Sequence, residues 1–447
     1  MGFSAGAALC GQVNWRNVRL GLLFSSALFP SPIGSFATAT EKIAKRFMFA
    51  DRTNWNLAPN RLSEALDRHR AAGKPFIDLT VSNPTDCRFE YDAKAILGAL
   101  ANPAALAYEP NPRGLEVARK AVADYYAERN CEVRLENIFL TTSTSEAYTY
   151  VFRLLSNPGD EVLVPAPSYP LFRFLADIQD VKLIHYPLLY DHGWQIDFHA
   201  LQQAITPRTR AVIVVHPNNP TGHFIKKQEL ANLNKICVSH ELAIICDEVF
   251  LDFDITLPGT RKSGGEFLDS SDRCSSLAAN SGARTFVLSG VSKISGLPQM
   301  KAAWLVTSGP EPARSQARAR LELIADTYLS PNAPVQLALP TLLAQRFRFQ
   351  LQLLARVRAN LAALDHQLAA HPSCTRLSLE AGWYAVLRVP ATRSDEDLAL
   401  HLLDSYNVYV HPGHFFGFPR SGYLVVSQIT GEAEYQKGIG AVLLEFD

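Results

Sequence analysis

The sequence predicts an α/β fold: a large domain with a mostly parallel sheet flanked by helices, plus a smaller α+β domain formed by the C-terminal part and an N-terminal segment. Three observations predict it. Short apolar runs rich in β-branched residues do not alternate with polar ones, as expected of strands buried on both faces. Helical segments separate several of these runs, the signature of a parallel sheet. Beyond about residue 311 the texture changes to long helices followed by shorter strands. At 447 residues, 47% of them apolar and 19% charged, the chain can bury a substantial core.

Taken in order, "NRLSEALDRHRAAG" (60–73) has helical periodicity and stops at a glycine. Residues 75–79 read as a short strand leading into "TVSNPTD", and 115–130 as an amphipathic helix. "NIFLTT" (137–142) is a strand that opens a helix at "STSEAYTYVFRLL". Further strands are "EVLVPAP" from Glu161, "VKLIHYPL" (181–188), "RAVIVVHP" (210–217), "LAIICDEVF" (242–250), "TFVLSG" (285–290) and "AAWLV" (302–306). A helix over 225–240 separates two of them. "PARSQARARLELIADTYL" and the stretch 338–371 are long helices, and "GWYAVLRVP" (382–390), "VYVHP" (408–412) and "YLVVSQ" (423–428) are strands. The implied divisions are an extension over 1–47, an N-terminal arm and part of the small domain over 48–90, a large domain over 91–320 and a C-terminal small domain over 321–447.

The extension is compositionally odd. Up to Thr40 it has no Asp or Glu, and Arg16 and Arg19 are its only charges. "LGLLFSSALF" (20–29) followed by Ala37-Thr38-Ala39 reads as a secretory signal with a late charged region, or as a transit peptide. The alternative is a start codon upstream of the true one, since Met48 opens a more ordinary stretch. The apolar run is too short to span a bilayer.

Lys+Arg and Asp+Glu both total 43, so no global charge marks a nucleic-acid or membrane partner. The seven cysteines (10, 87, 131, 237, 246, 274, 374) are odd in number and never spaced C-x-x-C. That argues against a disulfide framework or a zinc cage, and for a reducing, cytoplasmic location with no metal. H-E-x-x-H, G-x-x-x-x-G-K-[ST] and G-x-G-x-x-G are all absent.

Three polar residues share one place in this map. Asn219 lies past the strand ending near His216, Asp247 ends the strand "LAIIC", and Lys293 lies past "FVLSG". In open α/β sheets, ligands bind beyond the carboxyl ends of the strands, so the three can face one crevice. Singly, "NNPTG" reads as a turn, Asp247 as a cap and Lys293 as a solvated lysine. Their order and their small neighbours point instead to one site.

"HPNNPTG" (216–222), "CDEVFLDF" (246–253) and "SGVSKISGLPQMK" (289–301) resemble, in order, the signature blocks of the class I/II aminotransferases, pyridoxal-phosphate enzymes of the aspartate aminotransferase fold. The resemblance covers roughly 48–447. It implies a transaminase moving an amino group from an amino acid to a 2-oxo acid, in which Lys293 forms a Schiff base with pyridoxal 5'-phosphate and shuttles a proton. Asp247 is implied as the partner of the pyridine nitrogen and Asn219 as the partner of the ring hydroxyl. "TTSTSEAY" resembles the phosphate-binding turn, with Ser143, Thr144 and Ser145 at a helix N-terminus; an ordinary N-cap has the same local pattern. Tyr169 matches an aromatic stacked on the cofactor ring, and Ser292 is a further phosphate candidate. Tyr108 matches a tyrosine that reaches the neighbouring subunit's phosphate, which implies a homodimer.

Three positions depart from the family pattern. Lys301 stands where many relatives carry an arginine on the phosphate, a point charge in place of a fork. Phe250 replaces the tyrosine of "DEVY". Val425 occupies the place of the arginine that clamps the substrate carboxylate; Arg420, Arg113 and Arg88 are substitutes that the sequence does not rank. Trp383 and Tyr384 read either as substrate-side residues or as core. The same lysine and aspartate also serve lyases, decarboxylases and synthases, and a non-catalytic regulator is the third reading, for which residues 1–60 show no helix-turn-helix.

Overall fold

The computed structural model describes residues 49–256 and 272–446, so the expectations for 1–47 lie outside the described residues. Helix α1 (Arg61–Ala71) starts where the Asn60 side chain accepts from Ser63 N at 2.7 Å, and the chain leaves it through Gly73 at φ +66°. Strand β1 (Ile77–Asp78), α2 (Ala93–Leu100), α3 (Glu116–Ala127), β2 (Ile138–Thr141) and α4 (Thr144–Leu155) follow. Next come β3 (Glu161–Ala166), α5 (Phe172–Asp177), β4 (Lys182–Tyr190), β5 (Trp194–Ile196), α6 (Phe198–Gln203) and β6 (Thr209–Val215). Then α7 (Lys227–Ser239), β7 (Ala243–Asp247), β8 (Thr285–Gly290), α8 (Val291–Ile294) and β9 (Ala303–Ser308) complete the central part.

Strands β2 to β9 form one sheet in the order β2-β9-β8-β7-β6-β3-β4-β5. β4, β3, β6, β7 and β8 run parallel, while β9 is antiparallel to both of its neighbours and β5 to β4. Val212, Val214, Ile244 and Cys246 point into one apolar cluster and Ala211, Ile213, Val215 and Ile245 into another. Helices α3 and α10 cover one face, α4 and α9 the other. Burial on both sides is why these strands do not alternate in sequence.

The remaining elements are α9 (Ala313–Tyr328), α10 (Ala333–Ala344), α11 (Arg346–Leu368), β10 (Thr375–Arg376), β11 (Tyr384–Arg388), α12 (Asp395–Tyr406), β12 (Val408–Tyr409), β13 (His411–Pro412), β14 (Tyr423–Ser427) and α13 (Glu432–Leu443). β10-β11-β14-β13 make an antiparallel sheet, and β1 pairs in parallel with β12, so an N-terminal segment joins the C-terminal part. Two expectations are refined. The helix read over 338–371 is two helices broken at Gln345, where the buried Arg346 guanidinium donates to Leu343 O at 2.8 Å and meets an α10 terminal carbonyl. The strand read over 408–412 divides between two sheets, and Pro412, with no N–H to give, keeps β13 short at an edge.

Trp304 on β9 is fully buried and donates to Tyr126 Oη at 3.2 Å, with Tyr125 edge-on at 5.6 Å. Trp304→Ala is expected to cost about 3–5 kcal/mol, read as a fall in the urea midpoint.

Candidate active site

The site forms at the carboxyl ends of β6, β7 and β8. Asp247 is the last residue of β7, in register with Val215 of β6 and Leu288 of β8. Its main-chain oxygen accepts from His216 N at 2.8 Å, so the loop bearing Asn219 starts beside it. β8 runs directly into α8, which carries Lys293. Val291 N bonds Ala302 O at 3.0 Å, and this brings Lys301 alongside the start of α8.

Asp247 is buried and accepts from Tyr148 Oη and from Val249 N, each at 3.1 Å. Burial pushes its carboxyl up to about 6, against the pull of those two donors and the Lys293 ammonium. Burial likewise pushes the Lys293 amine down to about 8, with Asp247 acting in the opposite direction. Lys293 Nζ lies 3.4 Å from Ser82 O, 5.0 Å from the Trp383 ring and 5.9 Å from the Phe250 ring. A half-neutral amine near pH 8 inside an aromatic wall is a nucleophile and a proton carrier. Asn219 Oδ1 is buried with no hydrogen-bond partner, an acceptor left open toward this space.

Tyr169 follows β3. The loops after β3 and β6 are tied by Ser168 Oγ donating to Asn218 Oδ1 at 3.2 Å and Asn218 Nδ2 donating to Pro167 O at 3.1 Å. Phe172 stands edge-on to both Tyr169 and Tyr148, at 5.8 and 5.4 Å. Burial raises the Tyr169 phenol, with the Tyr384 and Asp247 charges adding to it. Ser143 caps α4 by accepting from Glu146 N, and Glu146 returns the bond to Thr142 N, so both readings of this turn survive. Thr144 and Tyr148, four residues apart, share one helix face, which turns Thr144 toward Asp247; Ser145 lies one position round. Ser292 adjoins Lys293 in half-buried surroundings.

Asn219, Asp247, Lys293, Phe250, Tyr169, Thr144, Ser143, Ser292 and Lys301 thus lie on the loops and helix ends around one sheet edge. Tyr108 does not: it is 81% exposed, in a surface pocket with Leu329 and Asn332. Val425 is fully buried, paired across β14 with Val386 and His411, and on the Tyr384 side of that sheet. Burial holds the His411 imidazole down to about 3, so it is neutral there. Arg113 is paired with Glu322 at 2.5 Å, while Arg88 and Arg420 are exposed. Sequence reasoning missed Tyr148 and the Ser82 carbonyl. The four-residue step from Thr144 signals the first, and nothing local signals the second.

Among the described residues no cluster of His, Cys, Asp and Glu is built to hold a metal, and no helix is long and apolar enough to cross a membrane. The family described as aminotransferase class I and II matches residues 74–438. The glutamate-pyruvate aminotransferase AlaA of Escherichia coli K12 is 30% identical over 273 residues, which is 61% of this chain and 64% of that relative. The chain therefore spans less than two thirds of that relative's length. An alanine aminotransferase of Mycobacterium bovis is 28% identical over 80% of this chain and 82% of its own. Among solved structures, an Escherichia coli aminotransferase superposes with a TM-score of 0.74 at 23% identity, covering 87% of this chain and 94% of its own. An alanine aminotransferase from Pyrococcus furiosus gives 0.74 at 21% identity, over 86% and 95%. At these identities the two structures speak for the fold.

Proposed function

The chain belongs to the class I and II aminotransferases, and on that premise we propose that it is a pyridoxal-phosphate-dependent transaminase acting between an amino acid and a 2-oxo acid. The observation that carries the reading is the convergence of Asp247, Lys293 and the open Asn219 acceptor at the carboxyl ends of β6, β7 and β8, where burial lowers the amine to about 8 and raises the carboxyl to about 6.

The residues fit the cofactor. The open Asn219 Oδ1 suits a protonated group on a ring, and Tyr169 offers a face for it. Ser143, Thr144 and Ser145 present a helix N-terminus to a phosphate, with Ser292 and Lys301 on the other side. Bound there, pyridoxal phosphate supplies an aldehyde that exchanges amines and a ring that withdraws electrons.

This chain's residues do the rest. Asp247 would keep a proton on the ring nitrogen, and Tyr148 and Val249 N hold its carboxylate in place. Lys293 Nζ would take up the proton released at the substrate α-carbon and give it back, acting as general base and then as general acid. The Trp383 and Phe250 rings exclude water around that transfer. Phe250 has no hydroxyl to give, so Asn219 would hold the ring oxygen without help from that position. With Val425 on the strand, the substrate carboxylate meets no guanidinium from β14.

Tyr108, with the similarly exposed Leu106 and Leu329, suits burial against a second copy, and we read the enzyme as a homodimer. The six described cysteines form no disulfide, which favours a reducing, cytoplasmic setting.

The test is to load the protein with pyridoxal phosphate and follow its absorbance while amino acids are added singly, alanine and glutamate first because the relatives carry those names. Conversion of the cofactor to its amine form, reversed by a 2-oxo acid, is the expected result. A loaded protein that no amino acid converts sinks the transaminase reading, and product analysis then addresses the lyase, decarboxylase and synthase chemistries.

A further inference from the structure

Residues 379–383 lie between the loop after β6 and the loop after β7, and they are held there more firmly than packing alone requires. Gly222, at φ +68°, leaves room for them: a Cβ there would come within 2.3 Å of Leu379 Cδ1 and 2.4 Å of Ala381 O. Gly382 N donates to Phe253 O at 2.9 Å, and Ile255 N to Glu380 O at 3.2 Å. The Glu380 carboxylate, largely buried, accepts from Phe224 N at 3.0 Å, from Lys226 Nζ at 2.6 and 2.7 Å, and from Arg273 Nη2 at 3.3 Å. Arg273, itself buried, also binds Asp254 at 3.1 Å. Lys226 and Arg273 hold the Glu380 carboxyl below its ordinary range despite the burial.

Such a cluster is costly to desolvate, and a well-packed apolar group would stabilise the fold as well. Its position suggests what it does instead. Three residues after Glu380, the Trp383 ring stands beside Lys293 Nζ and edge-on to Phe250 at 4.8 Å. We propose that Glu380 is a positioning residue: by clamping 379–383 against the loops that follow β6 and β7, it holds Trp383 as the dry wall beside the Lys293 amine. The inference rests on the reading of Lys293 as the reacting amine. The titratable groups that act on that amine are Asp247 and Cys87, and Glu380 itself is not among them.

The test needs no cofactor. The full chain is dialysed against hydroxylamine to strip any bound aldehyde, then labelled competitively with acetic anhydride from pH 6 to 11. The acetylated fraction at Lys293 is read by mass spectrometry. Wild type should show a midpoint near 8. In Glu380→Gln, which keeps an acceptor for Phe224 N but removes the charge, the wall loosens, water enters and the midpoint should rise by about one unit or more. Simple loss of a negative charge would move it down, so the sign separates the two causes. A folded Glu380→Gln protein with an unchanged or lowered midpoint overturns the proposal. If that variant does not fold, Glu380→Asp, which keeps the charge but shortens its reach to Phe224 N and Lys226, should give a smaller rise, and no rise there overturns it equally. A protein that labels as expected but never carries pyridoxal phosphate would sink the functional reading and leave the clamp standing.

Discussion

Lys293→Ala should lower amino transfer by on the order of 10⁴-fold or more, since in the proposed function one side chain serves both as the amine that exchanges with substrate and as the carrier of its proton. The measurement is single-turnover conversion of the cofactor, which frees the chemistry from product release. The same variant carries a stability signature. The folded amine titrates near 8 against an ordinary 10.5, so the unfolded chain binds more protons between those values. Burying the ammonium therefore costs most below about pH 8, and wild-type stability gains as pH rises through that window. Lys293→Ala should lose the gain, visible as a flatter melting temperature between pH 8 and 10.5.

Asp247→Asn should cost roughly 10²–10³-fold in the same assay, the scale of removing one preorganised electrostatic partner. The asparagine oxygen still accepts from Val249 N and its amide N–H can donate to Tyr148 Oη where Oδ2 had accepted, so the loop keeps its shape and the loss is read as charge. Without the carboxylate, the Lys293 labelling midpoint should move below its wild-type value, because Asp247 is the largest influence raising it. The stability effect has the opposite sign to that of the lysine. A folded carboxyl at about 6 against 3.8 unfolded binds its proton more tightly in the native state. That contribution is complete below 3.8 and lost as pH rises through 6, and Asp247→Asn should remove this slope.

The central sheet was legible because its strands are buried on both faces, a condition that writes itself into sequence as unalternating apolar runs. β8 was read to its end residues, since Ser289 and Gly290 stop it at the site. Asp247 and Lys293 stood out for a related reason: Asp247 ends an apolar run and Lys293 follows one within three residues of its end, where a polar residue has no packing role. The positions that escaped depend on meetings between distant segments. Tyr148 reaches Asp247 from a helix almost a hundred residues earlier, and a buried tyrosine is concealed on an apolar helix face among Ala147, Val151 and Phe152. The break at Gln345 was invisible because the residues leading to it, Leu342, Leu343, Ala344 and Gln345, are strong helix formers with no Gly or Pro to mark a stop, and what separates the two helices is the burial of Arg346. Glu380 reads locally as one more surface acid until Lys226 and Arg273 close over it.

The pairing of Ile77 with Val408 also sets a timetable for synthesis. Every strand of the central sheet leaves the ribosome before β12 exists, so that sheet can assemble on the nascent chain while β1 waits without its partner. At ordinary elongation rates the wait is roughly 15 to 65 seconds. Throughout it the Ser82 carbonyl has no anchored strand behind it, and for most of it Trp383 is still to be translated. Lys293 is thus made before the ring that stands beside it, so its amine stays in water until Trp383 has been translated and packed.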